Sequence, residues 1–159
     1  MRKMIVIPTI LAVVALLGAF PVAFASHSRP FNGSFSGNFT LTSATEATIT
    51  GTGQFEHLGT MTFANTAIAT GSAACAGGFT ANEQETFTAA NGDELFSSAI
   101  DVACPTSPTA FQLTASFTIT GGTGRFADAS GSGTTQLTGV DTSMTTGTFS
   151  GTSTGTITY

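Results

Sequence analysis

From Phe31 to the end of the chain, apolar residues alternate with hydroxyl-bearing ones at a period of two, and no stretch carries a convincing helical spacing. Phe31, Phe35, Phe39 and Leu41 share one parity, while Asn32, Ser34, Ser36, Asn38, Thr40 and Thr42 take the other. Successive side chains of a strand point to opposite faces, so this is a strand with one buried face. The same reading predicts seven more strands, over 46–52 (Ala47, Ile49), 60–73 (Met61 and Phe63, with a shift of parity by Ile68), 79–89 (Phe79, Phe87), 94–104 (Phe96, Ile100, Val102), 111–120, 131–139 and 144–158. Asn91-Gly92 predicts a type I′ hairpin turn, Pro105-Thr106-Ser107-Pro108 a loop, and Gly121-Gly122-Thr123-Gly124 a break after 111–120. Eight short strands with tight connections make a sandwich or a barrel, and barrel closure leaves no exposed edge. The expected fold class is therefore all-β, an eight-stranded antiparallel up-and-down β-barrel of lipocalin-like layout.

The N-terminus is of a different kind. Arg2 and Lys3 precede an apolar run from Met4 to Phe24, and Ala23-Phe24-Ala25 offers small residues at the two positions that signal peptidase reads. Residues 1–25 are expected to be a cleavable signal peptide, and 26–159 a single domain large enough for a real core. An uncleaved anchor is the alternative; the interruption at Pro8-Thr9 and the polar Ser26-His27-Ser28-Arg29 favour cleavage, with no stable membrane anchor left afterwards. After residue 25 there are nine acids against Arg29 and Arg125 and no lysine, a net charge of −7. Nucleic acid and anionic membrane surfaces are poor partners for such a chain. Thirty of those residues are threonine, which suits strands and excludes a helical bundle.

Cys75 and Cys104 are the sole cysteines. In an oxidising compartment their default state is a disulfide, and the address expected is secreted or extracytoplasmic. The competing reading, metal ligands or a nucleophile, has only His27 and His57 to draw on, so no metal site and no cofactor is expected. Asn32-Gly33-Ser34 and Asn38-Phe39-Thr40 match the N-glycosylation sequon, which matters only where the secreting cell has that machinery. Gly51-Thr52-Gly53-Gln54-Phe55 is echoed by Gly122-Thr123-Gly124-Arg125-Phe126. In each copy the glycines accept positive φ and the phenylalanine is expected to fold back and plug an end of the barrel.

The run Phe117 to Thr134, with its Gly121-Gly122-Thr123-Gly124-Arg125-Phe126 turn, resembles the strand, turn and returning strand of the allene oxide cyclase and dirigent-like barrel families. Gly53 to Gly59 and Thr86 to Asp93 are similar to segments of small secreted prokaryotic proteins that carry this barrel. The resemblance spans roughly residues 31–159 in layout and its motifs are turns. It implies an eight-stranded barrel, often a homotrimer, with a largely apolar interior that in the plant proteins holds a fatty-acid epoxide or a phenoxy radical pair. No catalytic residue transfers, because fold does not carry function and the interior polar positions do not match one by one.

Glu83 and Glu85 are the least expected residues for their place, since they share parity with Phe79, Ala81, Phe87 and Ala89. Facing inward, they would form a carboxyl pair able to move protons on an apolar ligand. Facing solvent across a bulge, they would be two wet glutamates, and the cost of burying unpaired carboxylates favours this second reading. Phe79 and Phe87 are candidate pocket walls. Arg125 is a candidate clamp for a ligand carboxylate, or else pairs with a neighbouring acid such as Asp128. His57 reads as a solvated turn residue, for the chain has no Gly-x-Ser-x-Gly elbow. Three functions follow: a barrel binding one small apolar ligand, a cyclase-like or dirigent-like enzyme or auxiliary, or a structural protein packed solid with phenylalanine. A cavity favours the first two, a filled interior the third, and polar groups at the cavity's floor favour the second over the first.

Overall fold

The structure, a computed structural model, describes residues 27–159, so the expected leader at 1–25 lies outside the described residues. Nine strands form: β1 (Ser28–Pro30), β2 (Gly33–Leu41), β3 (Glu46–Phe55), β4 (Gly59–Ser72), β5 (Phe79–Ala89), β6 (Glu94–Ser107), β7 (Ala110–Gly122), β8 (Ser130–Asp141) and β9 (Thr146–Thr158). From β2 each pairs antiparallel with the next, and β9 returns to β2, which closes an eight-stranded barrel. The short β1 continues the line of β2 along β9, with Ser28 opposite Thr158 and Gly33 opposite Ser153.

Every buried residue within β2 to β9 carries an odd number. A sheet with one face inward can hold that parity from strand to strand only if each connection preserves register, since a slip of one residue turns a strand inside out. This corrects two expectations. Ile68 marks no change of parity: it is 52% exposed, Ala67 and Ala69 continue the inner face, and the irregularity falls at Ala69/Gly71. In β6 the face expected to be buried is the outer one, with Ile100 63% exposed, while Leu95, Ser97, Ala99, Asp101 and Ala103 point inward. The reason is register with β5, which sets Leu95 beside Phe87 and Ala99 beside Glu83 whatever the relative hydrophobicity of the two faces.

The turns differ in detail as well. At Asn91-Gly92 only the glycine has positive φ (86°), and Gly92 N–H bonds the Ala89 carbonyl. That is a longer hairpin loop with glycine in the left-handed position, where type I′ would need both residues there. Pro105 lies inside β6, beside a register shift between Pro105 and Ser107, where its missing N–H is tolerated.

The two ends of the barrel are unlike. At one, Phe31 stacks on Phe55 with centroids 4.9 Å apart and meets Phe117 at 5.3 Å, and Met61, Leu95 and Ile157 fill the spaces. Phe55 and Phe126, the phenylalanines of the glycine-rich echo, are both fully buried here, Phe126 on a single 3-10 turn (Gly124–Phe126). Large rings fit because glycines face them. A Cβ on Gly51 would stand 2.4 Å from Phe63 Cζ and 2.3 Å from the Ser36 carbonyl oxygen. At the other end the four connections between β2 and β3, β4 and β5, β6 and β7, and β8 and β9 form an open rim. There the Cys75–Cys104 disulfide (Cα–Cα 5.9 Å) ties the β4–β5 connection to β6.

Gly51→Ala is expected to lower stability by about 1–3 kcal/mol in urea unfolding, because ring and backbone must both shift. Cys75→Ser/Cys104→Ser is expected to lose roughly 3–4 kcal/mol, the chain-entropy value for a loop of this size, with the barrel's circular dichroism spectrum retained.

Candidate functional site

Above the phenylalanine plug the barrel is hollow. A cavity of about 480 Å³ opens at the rim and runs down between Phe35, Phe39, Phe63, Phe87 and Phe149, with Ala67, Ala81, Ala103 and Leu137 completing much of its wall. It is hollow because alanines face inward along much of its upper half, Ala67 and Ala69 from β4, Ala81 from β5 and Ala103 from β6, which leaves space opposite the rings of β2 and β9. A barrel interior filled throughout is not what the chain builds.

Below the rim, the ionisable groups of this wall all stand on one side. Glu83 and Glu85 on β5 face inward, together with Asn65 from β4 and Asp101 and Ser97 from β6. Solvent-facing glutamates were the favoured expectation, and the conserved parity of β5 overturns it: Glu83 is 9% exposed and Asp101 2%. Asn65 Oδ1 accepts from the backbone N–H of Thr86 at 3.2 Å, which turns its amide nitrogen toward Glu83 Oε1 at 2.8 Å. The Ser97 hydroxyl donates to Glu85 Oε2. Asp101 Oδ1 is buried and has no hydrogen-bond partner.

Three carboxyls so placed cannot all ionise cheaply. Burial raises Glu83 well above the usual carboxylate range, and the charges of Glu85 and Asp101 push it further. Burial likewise raises Glu85 to about 7, against the bond from Ser97 that favours its anion, with Asp101 adding to the rise. Asp101 is raised to about 6 by burial, offset in part by a hydrogen bond with Glu83. Glu83 is thus the group that keeps its proton and shares it with Asp101. On the far wall the hydroxyls of Thr135 and Ser153 bond each other at 2.8 Å and ask nothing of the carboxyls.

Of the other residues singled out in the sequence, Phe79 and Phe87 line the cavity, Phe79 near the rim and Phe87 deep. Arg125 does not. It sits at the plugged end, 4.0 Å from Asp93 rather than paired with Asp128, with its guanidinium over the Phe126 ring and toward the Leu58 carbonyl. His57 occupies the exposed β3–β4 turn at the same end, with φ of 63°. Asn32 and Asn38 have exposed side chains. Among the described residues no group of three or more His, Cys, Asp or Glu is arranged to hold a metal ion. Asp101 escapes the sequence reading because the more apolar face of β6 is the one expected inside, and Asn65 because a polar residue that shares parity with Met61 and Phe63 carries no signal of its own before β5 is placed beside it. Carrying the parity of Glu83 across the hairpin to odd-numbered 95, 97, 99 and 101 would have found Asp101.

No protein-family model, curated protein or solved structure matches the chain.

The acid wall has a thermodynamic signature. Its folded pKa values lie above those of the unfolded chain, so the folded state binds protons more tightly, and the associated stability is present at low pH. It is lost as pH rises from about 4 through about 6 for Asp101 and about 7 for Glu85. Urea midpoints are expected to be higher at pH 5 than at pH 8, and Glu85→Gln or Asp101→Asn to flatten that profile while raising the pH 8 midpoint. A wild-type profile level between pH 5 and 8 would contradict the burial of these groups.

Proposed function

We propose that the protein is a secreted barrel that binds one small, mostly apolar molecule in its interior. The observation that carries this reading is the cavity: about 480 Å³, walled largely by phenylalanine, alanine and leucine, and open at one rim. Ligand sites of this kind are concave and mainly apolar, with a few polar groups that orient the guest, and an eight-stranded barrel is just wide enough for one. The disulfide at the rim supports an oxidising, extracytoplasmic setting and would hold the mouth in shape. The resemblance to allene oxide cyclase and dirigent-like barrels agrees with an apolar guest and suggests a homotrimer.

A second reading, acid–base catalysis on the bound molecule, is favoured by one specific observation. Glu85 and Asp101 are raised to about 7 and about 6 beside a Glu83 that retains its proton, which sets a donor and acceptors side by side. Native mass spectrometry of protein from its own secretion medium separates the two. A guest retained unaltered supports binding, while a guest converted over time by the wild type and not by Glu85→Gln supports catalysis.

For the binding reading, the neutral dye N-phenyl-1-naphthylamine is expected to brighten on titration and to saturate at one molecule per barrel. Ala67→Trp, which puts a large ring into the cavity, is expected to weaken it about 5- to 150-fold, the equivalent of the roughly 1–3 kcal/mol that overpacking a fitted space costs. Absence of saturable binding would refute the reading.

A further inference from the structure

Of the seven large apolar side chains that are exposed among the described residues, four stand on the open rim and none at the plugged end. Leu41 ends β2, Phe79 begins β5, Val140 is next to the end of β8, and Met144, 94% exposed, is in the β8–β9 connection. The other three, Ile68, Ile100 and Val102, lie within β4 and β6 on the outer wall. Exposed charge has the opposite bias, with Arg29, Glu56, His57, Arg125 and Asp128 all at the plugged end. Single exposed apolar residues are ordinary on a soluble surface, but here they encircle the mouth of an apolar cavity.

Two neighbouring turns of the rim are built alike. Thr142-Ser143-Met144-Thr145 repeats Thr42-Ser43-Ala44-Thr45, and the two are joined where the Leu41 N–H bonds the Thr145 carbonyl at 2.7 Å. In one turn the N–H groups of Thr142 and Ser143 both bond the Thr146 carbonyl, and in the other those of Thr42 and Ser43 both bond the Glu46 carbonyl. In each the serine hydroxyl accepts from the N–H two residues on, at 3.2 Å. Three backbone donors of each turn are thus paired within it, which lowers the cost of taking the turn out of water. The residue between, Ala44 or Met144, is left exposed.

We propose that the open rim docks on a neutral, zwitterionic lipid surface, with Met144, Val140, Leu41 and Phe79 entering the interface, and that the guest passes between lipid and cavity through this contact. This names a partner for the mouth of the barrel and rests on the reading of the barrel as a binding protein. Charge selects the kind of surface. The rim carries Glu46 and Asp141 and, among the described residues, no cation, so anionic headgroups are repelled while a choline headgroup offers these carboxylates an ammonium at the level where they sit. The position of the apolar groups selects lipid over protein. A protein seated on all sides of the mouth would stopper the cavity, whereas a lipid surface is itself a store of apolar molecules. With the rim on the surface, the charged groups of the plugged end remain in water, the arrangement of a protein that lies on a membrane without crossing it.

The test is flotation of the purified protein with vesicles of phosphatidylcholine or of phosphatidylglycerol, joined to the rate at which N-phenyl-1-naphthylamine moves from the protein to phosphatidylcholine vesicles. Flotation with phosphatidylcholine and less with phosphatidylglycerol is expected. Met144→Ser is expected to lower the partition coefficient about tenfold, the scale of burying one methionine side chain, and Met144→Leu to stay within about twofold of wild type. Neither variant is expected to change the affinity for the dye, since Met144 does not line the cavity. Dye transfer is expected to quicken in proportion to vesicle concentration, as transfer by contact does, and to slow about tenfold in Met144→Ser. No flotation with phosphatidylcholine, equal flotation of wild type and Met144→Ser, a preference for phosphatidylglycerol, or a transfer rate independent of vesicle concentration would each overturn the proposal while leaving the barrel a binder. Failure of the dye to bind saturably would overturn the binding reading, and flotation, which needs no dye, would still decide the contact.

Discussion

Pairing of β9 with β2 closes the sheet and thereby commits one face of every strand to the interior. In an open sheet a strand with an unsuitable inner face can twist away or slip; in a closed one the neighbours on both sides hold its register. The consequence is visible in the numbering, since all buried positions inside the strands β2 to β9 are odd. It also explains why the outer face bears threonine and serine: those residues suit a pleated, solvated surface and supply hydroxyls in place of charges.

Closure further explains how buried acids persist. Glu83, Glu85 and Asp101 sit on inner positions of β5 and β6 because Phe87, Ala89, Leu95 and Ala99 on the same strands are inner positions. Their desolvation is a local cost carried by a large apolar plug beneath them, where Phe31, Phe55, Phe87 and Phe117 interlock. Part of the cost is relieved by Asn65 and Ser97, and part by proton sharing between Glu83 and Asp101. The rest remains in an unpartnered oxygen. This local conflict is concentrated where the cavity opens and is absent from the solid end.

Much of the fold was legible beforehand. Period-two alternation located the eight strands of the closed barrel but not the short β1, the glycine-rich echo located both plugging phenylalanines, and the odd parity of Glu83 and Glu85 is plain on the strand 79–89. The candidate site was legible by half. Glu83 and Glu85 stand out by parity, but their burial is too costly to expect without the partners that β4 and β6 bring. Asp101 is invisible to a pattern that puts the more apolar Ile100 and Val102 on the inner face. Their exposure, like that of Ile68, is a case where side-chain hydrophobicity pointed one way and register the other.

Sequence by itself determined the strand content, the parity within most strands, the acidic balance and the availability of two cysteines for one bridge, because each of these depends on residues near one another in the chain. Tertiary structure decided which face of β6 is inside, where the rings end and the hollow begins, and that three carboxyls and an asparagine meet on one wall. Those outcomes depend on hydrogen-bonded register between strands and on closure around the whole barrel, and neither is a property of any single segment.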